Sequence, residues 1–281
     1  MIQQSKTSKY FPHIVLWIAI VIIVFPIYLV FVASTRTNQE IVSAPMSLFP
    51  GNQIITNYTR ALTEGAKNLG ASALTMMKNS FIMAMGIAVG KICVSLLAAF
   101  AIIFFNFRGR KFCFWAIFIT LMLPVEVRIM PTYKVIAQLG LMNSYLGLIL
   151  PMIVSATAVF LFRQFFLSIP REIAEASQID GATPMQFFRS ILLPMTRTPI
   201  AAMFVIQFIY GWNQYLWPLL ITTKESYYTL LIGINRILSS QDSVIEWQIV
   251  MATTLLAMIP PVLVVLIMQK QFVAGMTDTE K

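Results

Sequence analysis

The chain carries little charge and few of the side chains that catalysis or metal binding needs. Charged residues make up 11% of its 281 positions, and His13 is the single histidine. A soluble domain of this size needs far more charge to cover its surface. The two cysteines, Cys93 and Cys113, lie in or beside apolar runs. These shortages argue against a metal centre and a disulfide framework, and they make a membrane enzyme the weakest of the possible classes.

Apolar sequence is abundant instead. Hydrophobic residues make up 58% of the chain, and the mean hydropathy is +0.78. A helical crossing takes about 20 apolar residues, so this composition predicts an all-α, polytopic membrane protein. The first run is too long for the core of a signal peptide, and we interpret it as a retained span. Six runs are long enough to cross: His13–Ser34, Ser80–Phe105, Phe112–Met130, Ser144–Phe166, Thr198–Ile221 and Ile249–Met268.

The distribution of lysine and arginine predicts the orientation of these spans. The net charge is +9, but the basic residues are scattered between apolar runs, so we do not expect a nucleic-acid partner. The short link 106–111 holds three of them, which is typical of a cytoplasmic turn. Both termini are then cytoplasmic. The predicted organisation is residues 1–34 (N-terminus and first span), 35–79 (periplasmic loop), 80–268 (core of five spans, with a cytoplasmic loop at 168–197) and 269–281 (cytoplasmic tail).

The loop after the fourth span is the most informative segment of the chain. It predicts two short helices that meet at a corner. The first runs over 171–179 and ends before Gly181, because glycine readily takes the left-handed conformation that helix ends favour. Ala176 and Ser177 are small enough for a close approach to a partner, and Glu175 offers it one charge.

The second helix of this loop opens with a complete start signal. Thr183 is the predicted cap, Pro184 the first helical residue and Gln186 the third, and we expect Pro194 to stop the helix. Two interpretations stay open from the residues alone. The helix pair either docks into a groove on another protein or only links two spans at the membrane surface.

The segment 175–182, followed by Pro194, resembles the EAA loop of ABC-importer permeases, the coupling helix that sits in a cleft of the ATPase subunit. Ser177 replaces the third small residue of that pattern. Nearly the whole chain is similar to the second permease subunit of carbohydrate-type importers, the maltose-type family, and within it to sn-glycerol-3-phosphate importer subunits. The tail "GMTDTEK" departs from their "GAVK"-like ending. The similar stretches are "NSFIMA", "FNFRGRKF", "MLPVEVRIMPTYKVIAQLGLMNSYLGLIL", "FLFRQFF", "WNQYLWPL" and "QKQFVAGMT".

The resemblance implies a type I ABC-importer permease fold with six transmembrane helices, in a chain that hydrolyses no ATP itself. The implied cargo is sn-glycerol-3-phosphate or a related glycerophosphodiester; a neutral sugar or oligosaccharide is the alternative. An ATP-independent secondary transporter ranks lower, since no inverted repeat is visible. The implied partners are a sister permease, two ATPase subunits that bind ATP and magnesium, a periplasmic substrate-binding protein and the lipid bilayer. This chain is expected to bind no cofactor or metal. The implied coupling residues are Glu172, Glu175, Ala176, Ser177, Asp180 and Gly181.

Five residues are candidates for the translocation path. Lys91 lies about 17 and 21 Å from the two ends of its span, too far to reach water easily. It either serves an anionic cargo or forms a structural pair with a carboxylate or helix-end carbonyls in this chain or in the partner subunit. Arg128, near Glu126 at the outer end of the third span, either attracts an anion, holds the substrate-binding protein or is a locally paired anchor of the span. Trp212, Asn213 and Gln214 interrupt the fifth span, where a broken helix can line a cavity or polar side chains can join helices.

The stretch 86–91 superficially resembles a phosphate loop. It is one residue too short between its glycines, it has Ile92 where a magnesium-binding hydroxyl belongs, and it lies inside a span. We therefore predict that Gly86 and Gly90 form a face for close helix packing and bind no nucleotide.

Overall fold

The computed structural model describes residues 6–67, 69–239 and 244–277. Every regular element within these ranges is helical, which confirms the predicted all-α class. In chain order the α-helices are α1 (Lys6–Ser34), α2 (Asn38–Val42), α3 (Ile54–Thr63), α4 (Ala73–Phe104), α5 (Arg110–Ile119), α6 (Val125–Gln138), α7 (Tyr145–Ile149), α8 (Ala156–Ser168), α9 (Arg171–Ile179), α10 (Pro184–Phe187), α11 (Leu193–Met195), α12 (Arg197–Trp212), α13 (Leu216–Ile221), α14 (Leu230–Leu238) and α15 (Trp247–Thr277). Short 3₁₀ turns lie at Thr120–Met122, Leu150–Met152 and Glu225–Tyr227, and a π-helical segment at Phe188–Leu192.

Three of the described helices are long and apolar enough to cross a membrane. They are Tyr10–Ser34 within α1, the whole of α4, and Trp247–Gln269 within α15. They correspond to the first, second and sixth predicted spans. Two further pairs qualify if each bent pair counts as one span: α7 and its following turn with α8, bent by 50°, and Pro184–Met195 with α12, bent by 74°. The described chain therefore has three to five candidate spans.

The third predicted span, Phe112–Met130, is not one helix in the described structure. The chain leaves the helical conformation at Leu123 and Pro124, whose ψ angles are 114° and 143°. Proline has no N–H to continue a helix, and it disfavours the helical conformation in the residue before it. The helices as described do not confirm the division into six spans.

The interruption predicted in the fifth span is confirmed. α12 ends at Trp212 and α13 begins at Leu216, so residues 213–215 separate two helices. The predicted tail is helical up to Thr277, and its last residues, 278–281, lie outside the described chain.

The corner-shaped helix pair after α8 is confirmed in its first half and corrected in its second. α9 has the predicted bounds, Gly181 has a left-handed φ of +75°, and Thr183 forms the full capping box with Gln186. The prediction that Pro194 ends the second helix is wrong, because the chain stays helical through Met195. Pro194 lies in the first turn of α11, just after the π-helical segment, where a missing N–H is tolerated.

The described residues fall into two compact units, and the first consists of the chain up to Thr75 together with Gly233–Met258. An ion pair links distant parts of its sequence, with Arg60 donating to both carboxylate oxygens of Glu246 at 2.6 and 2.9 Å. The backbone N–H of Lys67 donates to the same carboxylate at 3.0 Å. Charge-assisted bonds of this kind are among the strong ones, and they fix the segment before α15 against α3.

The second unit, Met76–Ile232 with the rest of α15, contains the helix corner and the site described below. Aromatic side chains of α4 pack against those of the corner. Phe100 and Phe188 have ring centroids 4.8 Å apart, and Phe104 and Phe187 have centroids 5.1 Å apart. Such pairs contribute about 0.5–1.5 kcal/mol each beyond their burial. They tie the second helix of the corner to the end of α4.

Gly86 and Gly90 form the close packing face that the sequence predicts. A Cβ atom at Gly86 would overlap the side chain of Ile149, and one at Gly90 would overlap that of Ile153. The absence of a side chain lets α4 approach the α7–α8 region closely, which sets the position of the next residue, Lys91.

Candidate functional site: a cationic cavity and a helix corner

Lys91 is buried near the middle of α4 and is held by α12. As a whole residue, Lys91 is only 6% exposed. Its Nζ donates to Oε1 of Gln207 at 3.0 Å and lies 3.6 Å from the centroid of the Tyr210 ring. Gln207 and Tyr210 are three residues apart, so they share one face of α12. The ammonium is therefore held by an amide oxygen and an aromatic face.

The partners of Lys91 are neutral. Among the described residues no carboxylate lies within 4.0 Å of its Nζ. The described part of this chain therefore does not supply the carboxylate partner that the structural alternative requires. The amide of Gln207 is oriented by its other end, because Nε2 donates to Sδ of Met203 at 3.3 Å. The amide oxygen satisfies a hydrogen-bond donor of the lysine without neutralising its charge.

Lys91 opens onto a cavity of about 420 Å³ that also reaches Arg128. This volume lies within the range of small-molecule sites. Trp217 contributes an aromatic wall, and its indole N–H donates to the carbonyl of Gly147 at 3.2 Å. The described lining of the cavity contains two cations, Lys91 and Arg128, and no carboxylate. The aliphatic hydroxyl groups around the cavity belong to Thr120, Thr132, Ser155 and Thr157.

Of the five residues predicted for the translocation path, the structure brings Lys91 and Arg128 together. Trp212, Asn213 and Gln214 are not among the described residues that line this cavity. Trp212 is buried and stacks on Phe208, Asn213 is the exposed C-cap of α12, and Gln214 donates to the carbonyl of Tyr210 at 3.1 Å. These three residues build the break after α12.

The sequence reasoning missed most of the cavity lining, including Gln207, Tyr210 and Trp217. A signal was available for the first, since Gln207 is an uncharged polar residue inside an apolar run, and such residues are candidates for function as much as charged ones. Tyr210 follows it at the spacing of one helical turn. Nothing in the sequence pairs either residue with Lys91, which lies more than a hundred positions earlier.

The helix α9 presents one outward stripe at the corner. Glu172, Glu175, Ala176 and Ile179 are exposed, and their spacing of three or four residues places them on one face. Ile179 is 86% exposed at the end of this stripe, and it was missed by the sequence reasoning. Asp180 and Gly181 follow at the exposed end of the helix.

Ser177, predicted with this group, points the other way. It is 4% exposed, and among the described atoms its hydroxyl oxygen has no hydrogen-bond partner. Partly buried Ile173 packs with the core beneath α9. The inner face of α9 is thus used within the chain, and the outer stripe is available to another molecule.

Residues 91–278, two thirds of the chain, match the family of binding-protein-dependent transport system inner membrane components. The chain belongs to this family. It is a multi-pass protein of the bacterial inner membrane and a transport permease subunit, not an enzyme. The membership accounts for the long apolar helices and confirms the resemblance to ABC-importer permeases that the segment 175–182 carries.

Three full-length relatives are named sn-glycerol-3-phosphate transport system permease protein UgpE. Identity is 53% over 282 residues with the protein of Brucella melitensis and with that of Agrobacterium fabrum. It is 51% over 281 residues with that of Pectobacterium atrosepticum. In all three comparisons the match covers 100% of both chains.

A solved structure has the same fold. It is described as a bacterial ABC transporter involved in the import of the acidic polysaccharide alginate, and it superposes with a TM-score of 0.82. The match covers 97% of this chain and 100% of the other, at 20% sequence identity. This likeness concerns the fold alone, which is that of an ABC-transporter permease.

Proposed function

We propose that this chain forms the membrane path by which an ATP-driven importer takes up sn-glycerol-3-phosphate or a related glycerophosphodiester. The names of its full-length relatives support this cargo. The observation that carries it is the buried ammonium of Lys91, which opens with Arg128 onto a cavity with no described carboxylate. A charge inside the membrane is costly unless an opposite charge compensates it. A phosphate ester supplies that charge as it passes.

A neutral sugar or oligosaccharide is the alternative cargo, and the cavity favours it less. The hydroxyl groups of Thr132 and Ser155 suit the hydroxyls of either kind of cargo. A neutral sugar brings no charge to oppose Lys91 and Arg128, which have no carboxylate beside them in the described cavity lining. The phosphate is therefore the group that distinguishes the two cargoes at this site.

The proposed topology has six crossings with both termini in the cytoplasm. In this arrangement the third crossing is built from α5, the following 3₁₀ turn and the start of α6, with its break at Pro124. Residues 35–79 lie in the periplasm, while 106–111 and 168–197 lie in the cytoplasm. The basic residues of 106–111 support this orientation, since cytoplasmic turns are rich in lysine and arginine.

The outer stripe of α9 is the proposed docking surface for the ATPase subunit. Glu172, Glu175 and Ala176 lie on it, and the exposed Ile179 adds an apolar contact near its end. Asp180 and Gly181 form the corner that lets α9 project. Because Ser177 is buried in its own chain, we assign it to the seating of α9 and not to the docking surface.

The proposed assembly contains one copy of this chain, one sister permease, two ATPase subunits and a periplasmic substrate-binding protein. ATP and magnesium are bound by the ATPase subunits, and this chain binds no nucleotide, cofactor or metal. Within the path, Lys91 and Arg128 face the cargo, while Trp212, Asn213 and Gln214 maintain the break at the end of α12.

The test is uptake of labelled sn-glycerol-3-phosphate by cells that lack this chain and other carriers of phosphate esters. We expect uptake to return when the chain is restored, to require ATP, and to resist competition by neutral disaccharides. If the complex assembles and the phosphate ester is still not taken up, the cargo assignment is wrong. Uptake of a neutral sugar in the same cells would then establish the alternative.

A further inference from the structure

A second cavity, separate from that of Lys91, lies between the start of α5, the end of α8 and α9. We propose that it binds the phosphate headgroup of an anionic phospholipid. Its volume is about 730 Å³, and its described lining has four basic residues and one carboxylate, Glu175. The basic residues are Arg110, Lys111, Arg163 and Arg171. The proposal rests on the proposed topology, which places this end of the helices at the cytoplasmic face of the membrane.

The basic residues of this cavity have no acidic partner among the described residues. No described carboxylate lies within 4.0 Å of any of the four. The guanidinium group of Arg110 donates to the side-chain oxygen of Asn106 at 2.8 Å, which leaves its charge uncompensated. Four cations around one carboxylate give the cavity a strongly positive potential, which attracts an anion.

Arg163 points to the same chemistry independently. Its guanidinium carbon lies 4.1 Å from the centroid of the Phe114 ring, over the face of that ring. Its Nε–H is buried and has no hydrogen-bond partner among the described atoms. A buried donor without an acceptor is destabilising, so an acceptor oxygen at this position is favoured. Phosphate oxygens match the fork geometry of a guanidinium group.

The apolar surroundings favour a lipid over a free anion. Ile103 and Phe104 line the cavity beside the basic residues. Trp115 and Leu167 also line it and are 56% and 51% exposed, so apolar surface lies alongside the cationic site. A phospholipid places its phosphate beside its acyl chains in this way. Basic pockets between helices on the cytoplasmic side of membrane proteins bind anionic headgroups, and exposed tryptophan is typical of that depth.

The helix α9 lines the same cavity through Arg171, Ala174, Glu175 and Gln178, and of these Glu175 also lies on its outer stripe. A bound headgroup therefore contacts the helix whose outer stripe is proposed to dock on the ATPase. It would link α9 to α5 and α8 through bonds that the chain alone does not make. The lipid is thus expected to stabilise one orientation of α9.

The test uses the complete importer, purified in detergent and equilibrated with phosphatidylglycerol or phosphatidylcholine, and native mass spectrometry counts the lipid retained. We expect preferential retention of phosphatidylglycerol, falling about fivefold for each basic residue removed. Arg163→Gln removes the partly buried charge, and Arg171→Gln removes an exposed one with less risk to folding. Arg189→Gln is the matched control, since Arg189 is exposed on the second helix of the corner and does not line the cavity.

Equal retention of the two lipids by the unaltered importer would overturn the proposal, as would equal retention of phosphatidylglycerol by all variants. Inorganic phosphate, supplied to the importer in phosphatidylcholine nanodiscs, distinguishes the source of the anion. Saturable phosphate binding that Arg163→Gln removes would assign the site to a soluble anion and overturn the lipid assignment. Uptake of cargo is measured separately, so loss of lipid binding with normal uptake leaves the proposed function intact.

Discussion

Arg60 and Lys91 are both poorly exposed cations, but among the described residues only Arg60 has an acidic partner. The side chain of Arg60 is 25% exposed and contacts the carboxylate of Glu246 at 2.6 Å. Lys91 belongs to a residue that is 6% exposed, and it contacts an amide oxygen of Gln207 at 3.0 Å. The more deeply buried cation is the one without a described counterion.

The difference separates a structural cation from one that is available to a ligand. The charge of Arg60 is neutralised inside its own unit, so it has no need of another anion. Lys91 donates one hydrogen bond to a neutral amide and has no counterion among the described residues, and it opens onto a cavity that also holds Arg128. Neutral hydrogen bonding with an uncompensated charge is what a reversible anion site requires, because a resident carboxylate would compete with the ligand.

The most direct test of this difference gives Lys91 a carboxylate partner, as Arg60 has in Glu246. Gln207→Glu places a carboxylate where the amide oxygen now accepts from Lys91. The new charge neutralises the ammonium and repels a phosphate ester, and like charges at close range cost several kcal/mol. We expect uptake of sn-glycerol-3-phosphate to fall more than about 100-fold at saturating cargo. Uptake within twofold of the unaltered chain would show that cargo phosphate does not approach this lysine.

Removal of the cation is the second test. Lys91→Met keeps most of the apolar length of the side chain and loses the charge. Hydrogen bonds to charged groups contribute about 1.5–3 kcal/mol, so we expect uptake to fall roughly 10- to 100-fold. Lys78→Met is the matched control, since Lys78 lies on the same helix but is exposed. Lys91→Arg retains the charge and should recover part of the activity; an equal loss in both variants would indicate a structural role.

A change at α9 should impair the coupling to ATP hydrolysis and leave the cargo cavity intact, whereas the changes at Lys91 act on the cavity. Glu175→Lys leaves the Lys91 cavity unaltered and inverts one charge on the proposed docking stripe. We expect about tenfold less ATP hydrolysis stimulated by loaded binding protein, by the loss of one charge-assisted contact. The amount of assembled permease in the membrane is the control measurement. Normal stimulation together with normal uptake would remove α9 from the coupling role.

The smallest expected effect on transport comes from a change at Glu246, the partner of Arg60. Glu246→Gln converts the partner of Arg60 into the neutral kind that Lys91 has. The partly buried pair should lose about 1–3 kcal/mol, which lowers the unfolding temperature of the purified complex. Uptake per assembled molecule should stay the same, because Arg60 lies outside the cavity lining. A large loss of uptake at unchanged stability would erase the distinction drawn between the two cations.

Local signals account for what the sequence predicts well. The bounds of α9 and the capping box at Thr183 depend on residues within one turn of each other, and both predictions are confirmed. The error at Pro194 also has a local cause, because a π-helical segment before the proline moves it into the first turn of a new helix. A pattern based on regular α-helix does not contain that possibility.

The cavity was less accessible to sequence reasoning, because its parts come from distant segments. Lys91 is predictable as a buried charge, but its partners Gln207 and Tyr210 are identified only by the packing of α4 against α12. Trp212 and Asn213 illustrate the opposite case. Their polar and aromatic character marks the break in the fifth span correctly, but that character does not place them at the cavity.

The second helix of the corner and α12 meet at Thr196 with a bend of 74°, so a rotation about this point moves both helices. Thr196 is fully buried, so the bend between the two helices is shielded from water. Gln207 lies ten residues along α12, about 15 Å from the start of that helix. If α12 turns as a rigid rod, a rotation of about 5° carries Gln207 through about 1.3 Å. A displacement of that size directed along the 3.0 Å bond to Lys91 lengthens it to about 4.3 Å, which is beyond hydrogen-bond distance.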